Sequence, residues 1–361
     1  MGCTECARTW NSTIGCVYTR RSDTVHRWSS RASATNQRVS TFSRELSGDT
    51  SSRAWRRCVI SLCTRAALDS AARGRSTAAL AVMSNIIRTI FGRKKTASGS
   101  ARDVGDTAAP LERVALHVVR VNTPTRSHLG GGPGLPPGIA WPQREGRNLR
   151  FLARLSLSEL QAVELTDWLP QSGALLFFYD DDQQPWGFDP MDRGGWAVLH
   201  VPDVPATSGL TAPETAGLLP YSSVELRRIQ VLPSYERPDV QALSLSDSEV
   251  EKYIEIADQR FGRLPKHQLL GLPSPVQGDS MELECQLASN GVNCGTPEGY
   301  ANARAKELGA GAQNWRLLFQ MDSDDDLEVM WGDVGMLYFW IEEAAGRRGD
   351  FSNVWLVLQC A

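Results

Sequence analysis

Three short apolar runs close the chain: "WRLLFQM" (315–321), "MLYFWI" (336–341) and "NVWLVLQ" (353–359). Each is shorter than a core helix and rich in aromatic residues, and short polar connections separate them. That pattern makes antiparallel neighbours in a meander, so the chain builds on a sheet. Further runs extend it. "VALHVVR" (114–120), "WAVLHV" (196–201) and "SVELRRIQVL" (223–232) have strand composition, and "GALLFFYDDD" (173–182) reads as a buried strand ending in an acidic turn. "LRFLARLSLSEL" (149–160) reads as a strand entering a helix capped by Ser156 or Ser158.

Two helices stand out. In "SDSEVEKYIEIADQRF" (246–261), Ser246 and Glu249 form a capping box, and Val250, Tyr253, Ile254, Ala257 and Phe261 make one stripe before Gly262. "TPEGYANARAKELG" (296–309) is the second, with Pro297 at its start. The fold class expected is α+β: mainly antiparallel sheet with a few flanking helices. An internal echo, "ALLFFYDDDQQPWGFD" (174–189) against "RLLFQMDSDDDLEVMWGD" (316–333), suggests two related halves.

The net charge of −3 hides a division. Residues 1–82 hold thirteen Arg, no Lys and five acids, a net of +8, so residues 83–361 carry −11. The head has no sustained apolar period and cannot offset its ordering entropy. It is expected to be a disordered extension, or upstream sequence ahead of a true start at Met83; an organellar leader is the competing reading. "CTEC" (Cys3, Cys6) could be half of a zinc site, but no matching second pair follows. Residues 83–110 read as a short leader and linker, and 111–361 as the domain.

No apolar run approaches the ~20 residues that cross a bilayer, so no membrane partner is expected. The later cysteines, Cys285, Cys294 and Cys360, are odd in number, which argues for a reducing, cytoplasmic setting and inert buried thiols. A body of −11 disfavours nucleic acid. The Gly-rich stretch "GGGPGLPPGIAWP" (130–142) lacks the closing Lys-Ser/Thr of a phosphate loop, and four prolines break any helix there. It is a rigid loop with Trp141 as its anchor.

Seven segments together have a familiar order: "GGGPGLPPGIAWP", "RFLARLSLSEL", "GALLFFYDDD", "HQLLGLPSPVQ", "NWRLLFQMDSDDD", "MWGDVGMLYFWI" and "NVWLVLQC". Over about residues 114–361 the chain resembles the YwqG-like family, a bacterial domain of unknown function. The resemblance implies an α+β fold in a soluble intracellular protein and names no activity.

Candidate chemistry centres on the loops. Asp322, Asp324, Asp326 and Asp333 fall at positions 1, 3, 5 and 12 of a calcium-loop spacing. Position 6, however, is Leu327 where a turn glycine belongs, and the flanks are strands. The expectation is a solvated turn and no resident metal or other cofactor. His267 and Gln277, in a proline-punctuated loop, are the candidate ligand-binding or proton-carrying pair, although a histidine held by backbone carbonyls is the plainer reading. Trp186 and Trp331, each before a turn glycine, are expected to be partly exposed, as platforms for a ligand or partner or as turn packing. No nucleophile or metalloenzyme motif is present. The function expected is therefore a binding or interaction protein whose acidic surface engages a basic protein partner. The alternative is a hydrolase or transferase gathering His267, Gln277 and the 322–333 aspartates.

Overall fold

A computed structural model describes residues 103–161, 167–202, 212–213 and 216–361. The expectations for residues 1–82, "CTEC" included, and for most of 83–110 lie outside the described residues. Within the described chain the fold is mostly β. Ten strands form one antiparallel sheet in the order β12-β11-β10-β9-β1-β8-β2-β5-β6-β7. They are β1 (Arg113–Arg120), β2 (His128–Leu129), β5 (Arg150–Ser156), β6 (Ala174–Tyr179), β7 (Trp196–Val201), β8 (Ser222–Val231), β9 (Gln268–Leu269), β10 (Trp315–Asp322), β11 (Met336–Glu342) and β12 (Trp355–Gln359). β3 (Gln143–Arg144) and β4 (Arg147–Asn148) make a separate hairpin. The helices are α1 (Val104–Ala108), α2 (Leu157–Gln161), α3 (Pro238–Gln241), α4 (Asp247–Gln259), α5 (Met281–Ser289), α6 (Pro297–Ala301), α7 (Ala303–Leu308) and α8 (Glu343–Arg347). Among the described residues no helix is long and apolar enough to cross a membrane.

All six residues of β6 are buried, which explains its unbroken apolar run: both faces of the strand are covered. One face carries Phe177 into the main core, 4.8 Å from Phe319 and 5.2 Å from Phe339 between ring centroids. The other carries Phe178 against Phe151 and Trp141, each at 5.4 Å. Trp141 anchors the Gly/Pro loop by donating its Nε1–H to the Leu149 carbonyl at 2.8 Å.

The sheet curls until its two edge strands meet. Trp196 of β7 and Trp355 of β12 lie edge to face at 5.0 Å. Trp196 donates to the Val354 carbonyl and Trp355 to the Gly187 carbonyl, both at 2.8 Å. The Leu358 amide of β12 donates to Trp186 O at 3.0 Å. Gly187 makes this approach possible: at φ +81° a Cβ there would lie 1.7 Å from Leu356 O.

The strand order has an internal symmetry. Exchanging β1 with β8, β2 with β9, β5 with β10, β6 with β11 and β7 with β12 returns the same order reversed. The registers agree in detail. Leu129 pairs with Ala153 and Ser222, as Leu269 pairs with Phe319 and Leu116. Bulges fall at Phe151/Ala153 and at Leu317/Phe319. Gly130 and Gly131, at φ +60° and +65°, match Leu270 and Gly271 at +59° and +72°. The equivalence differs from the echo in the sequence: that alignment sets β6 on β10, whereas the topology sets β5 on β10 and β6 on β11. Similar apolar runs recur on many buried strands, so a local match misassigned the partner.

Other differences have local causes. Residues 103–110, read as linker, form α1 and all but the last residue of a 3-10 turn. Asp103 caps the Gly105 amide at 2.8 Å, and Val104 and Ala108 bury against Tyr253 and Val240. The α4 capping box is present, with the Ser246 amide donating to Glu249 Oε2 at 2.8 Å. Its buried side is Tyr253, backed by Ile256 and Ala257, while Ile254 is exposed. The 296–309 helix is two helices, because Asn302 leaves the helical region and caps the Ala305 amide of α7. Helix α5 has no counterpart in the sequence reading.

Candidate functional site

The segment leaving β9, residues 270–278, is turned by Leu270 and Gly271, both at positive φ. A Cβ at Gly271 would lie 2.6 Å from that of Ala115. Leu270 adopts a backbone conformation that suits glycine, and its amide is held by Leu318 O at 3.3 Å. Beyond it, buried polar side chains of the sheet replace a missing neighbour strand. Gln268 Nε2 donates to the Leu270 and Leu272 carbonyls at 2.6 and 2.8 Å. Gln320 Oε1 accepts from the Ser274 amide at 2.8 Å, and its Nε2 donates to Lys266 O. Gln359 Oε1 accepts from the Val276 and Gln277 amides at 3.0 and 3.1 Å, and its Nε2 donates to Gly278 O at 2.8 Å. Tyr338 O–H donates to Ser274 O at 2.8 Å. A primary amide offers donor and acceptor together, which is what a backbone pair needs.

Replacing Gln359 with leucine is therefore expected to destabilise the protein by roughly 2–4 kcal/mol, since two amides and a carbonyl lose their partners at once. Denaturant melts give the cost, and amide exchange should accelerate at Val276 and Gln277 first. Unchanged protection at those two amides would contradict the clamp.

This clamped segment separates two clefts. One, of about 420 Å³, is walled by Leu270–Pro273, Arg113, Arg237, Glu282, Arg316 and the tryptophans 168, 315 and 340. The other, of about 330 Å³, lies on the α4 side and includes Pro273, Gln277, Lys266, Asp258 and Tyr253. In the first, Arg237 is bound to Asp279 (2.7 Å) and to Glu282, while Arg316 pairs with Glu343 at 3.0 Å. Burial opposes the charge on Arg237, but the two carboxylates more than compensate and hold its pKa above the ordinary arginine value. Among the described residues no carboxylate pairs with Arg113; its guanidinium meets the Pro110 and Glu112 carbonyls at 3.4 and 2.9 Å. Trp315 donates to Gln286 Oε1 at 2.8 Å. The Nε1–H of Trp340 is buried and finds no acceptor among the described residues.

His267 sits elsewhere, at the root of the clamped segment and 1% exposed. Its Nδ1 accepts from the Asp322 amide at 3.1 Å, so its Nε2 carries the proton and donates to Asp324 Oδ2 at 2.7 Å. Arg120 closes the node, bonding Asp324 and lying 3.4 Å from Asp326. Burial first, then the nearby charges of Arg120 and His117, push the His267 pKa down to about 3. The ring is a neutral bridge, held by a carboxylate and one amide and not by the backbone carbonyls expected.

The remaining candidates divide. Asp322 joins His267 through its amide, its carboxylate accepts from the Lys266 amide at 2.9 Å, and burial raises its pKa. Gln277 is exposed on the α4-side cleft, and Asp333 is exposed with its carbonyl bonded to Ala361. The hydrogen bonds of His267 thus go to Asp324 and the Asp322 amide, and to neither Gln277 nor Asp333. The acidic turn is not wholly solvated: Asp325, Asp326 and Asp333 are exposed, but Asp324 turns inward and is 5% exposed. Its side chain is spent on Arg120, His267 and the Asp326 amide (3.0 Å). Among the described residues no group of three or more His, Cys, Asp or Glu side chains is arranged to hold a metal ion. Trp331, expected to be partly exposed, is 1% exposed, edge to face with Tyr179 at 5.6 Å. Its N–H is drawn inward by Asp322 O at 3.1 Å. Trp186 is half-buried beside Phe188.

The sequence reading passed over Arg113, Trp315, Trp340 and the clamping glutamines. A signal existed for the last: Gln320 and Gln359 each interrupt an otherwise apolar run, and a polar group on a buried strand implies a dedicated partner. A family model described as "Domain of unknown function (DUF1963)" matches residues 127–360. No curated protein matches the chain.

Proposed function

The chain belongs to the DUF1963 family, and from that premise we propose that it is a YwqG-like binding protein, not a catalyst, whose ligand seat is the 420 Å³ cleft. The observation that carries this reading is the clamp on residues 270–278: Gln268 holds the lining residues Leu270 and Leu272, and Gln320, Gln359 and Tyr338 pin the segment that continues from them, so the wall stands before a ligand arrives. Pre-formed concave sites lined by aromatic residues and a few polar groups favour small-ligand binding, because little ordering cost remains. His267 argues against the hydrolase reading, since both ring nitrogens are engaged and it lines neither cleft. Asp325, Asp326 and Asp333 are the exposed acids that support a second contact, with a basic protein partner.

A thermal-shift screen of the full chain against small organic acids, bases and neutral aromatics tests the seat. A ligand present at 100 times its Kd should add about 2.7 kcal/mol. Leu272→Trp, which fills the cleft, should abolish the shifts. Hits that persist in that variant would place binding elsewhere and sink the proposal.

A further inference from the structure

We infer that the cleft takes a planar aromatic carboxylate, with its ring among the tryptophans and its carboxylate on Arg113; the inference rests on the cleft being the ligand seat. The internal symmetry of the sheet supplies the first argument. Trp315, Leu317 and Trp340 correspond to Leu149, Phe151 and Phe178 in the other half. There the face is sealed by the chain itself. Trp141 packs edge to face on Phe178 and donates to Leu149 O, with Leu135 and Ile139 beside it. The site that accepts a flat indole in one half is covered in the other by α5 only in part, and beside the first turn of α5, at Glu282, the cleft remains. Flat ring systems suit such a surface, since edge-to-face and offset contacts add to the gain from area burial.

Polarity supplies the second argument. Arg237 is shared by Asp279 and Glu282, a cluster with one surplus negative charge, and Arg316 is matched by Glu343. Arg113, the counterpart of buried Leu219, is the guanidinium of this lining that no carboxylate pairs with among the described residues. An anion therefore settles at Arg113 and away from Arg237. A carboxylate seated there meets the Arg113 guanidinium, whereas a cationic ligand is drawn to the surplus carboxylate at Arg237, away from the tryptophan face. Arginine binds carboxylate in a planar fork, which favours a carboxylate over a spherical anion.

Calorimetry with three isosteric probes tests this: 2-naphthoate, 2-naphthamide and 2-naphthylmethylammonium, each with the full chain. The expected order is naphthoate tightest, at least tenfold over the ammonium, with the amide between. Arg113→Ala, at an exposed position, should weaken naphthoate about tenfold and leave the amide within twofold. Glu282→Gln should tighten naphthoate two- to threefold. Equal affinity for carboxylate and ammonium, or an equal loss of all probes in Arg113→Ala, would overturn the ligand class while the seat stands. The ligand class falls in the same way if no naphthyl probe binds at millimolar concentration but other ligands are lost in Leu272→Trp. Ligands retained in Leu272→Trp would remove the seat and the inference together.

Discussion

Asp324→Ala should destabilise the protein by about 3–5 kcal/mol, the cost of breaking a buried ion pair from one side. The carboxylate is the hub: Arg120, the His267 Nε2–H and the Asp326 amide all converge on it. Truncation leaves a half-buried guanidinium and a buried imidazole N–H facing each other with nothing between them. The other half of the sheet suggests the control. At the positions of His267 and Arg120 it carries Ser127 and Leu226, and the Ser156 amide donates to Ser127 Oγ at 2.9 Å as the Asp322 amide donates to His267. Arg120→Leu in the Asp324→Ala background should therefore recover part of the loss, and denaturant melts of the four proteins give the coupling directly. Additive losses would mean that Arg120 and Asp324 are not energetically joined.

His128→Gln should flatten the acid side of the stability profile. His128 Nδ1–H donates to Gly130 O at 2.9 Å, which leaves Nε2 as the site of protonation, buried and without a partner among the described residues. Burial is the main cause that lowers its pKa from 6.5 to about 4; Arg154 adds to it, and the Gly130 bond opposes it. Between those values the unfolded chain binds the proton and the folded chain does not. Stability from this group is thus complete above pH 6.5 and is lost as pH falls to 4, about 3 kcal/mol in all. His267 titrates in the same sense. Glutamine suits the position because Gln268, its counterpart, donates to Leu270 O in the same way. Denaturation followed from pH 4 to 7.5 should show a slope in the variant lower by about 1.4 kcal/mol per pH unit below pH 6.5 and no difference in slope above it. Parallel profiles would show that His128 is protonated in the fold.

Strand content was legible because buried strands announce themselves: "ALLFFY" and "MLYFWI" have no other use in a chain of this composition. The capping box of α4 was equally plain, since its signal is local. What escaped was relational. β9 is two residues long and is a strand only because β1 and β10 flank it. Helix α5 was hidden behind a proline-rich approach and a run, "MELECQLAS", whose buried Glu284 and Gln286 disguise its packing. Asp324 looked like its solvated neighbours because composition cannot show which carboxylate of a turn faces inward. The cleft left the faintest trace, since Arg113, Arg237 and the β10–β11 pair that carries Arg316 and Trp340 come from three distant stretches.

The meeting of β7 and β12 limits how this molecule can associate. An open sheet carries rows of backbone donors and acceptors on which a foreign strand can template itself. Here two indoles and the 186–188 strap stitch the outermost strands together, and Gly187 makes the seam close enough to hold. Recruitment of another molecule at that seam has to proceed through side-chain surfaces, and polymer growth by strand addition there first requires the seam to be torn.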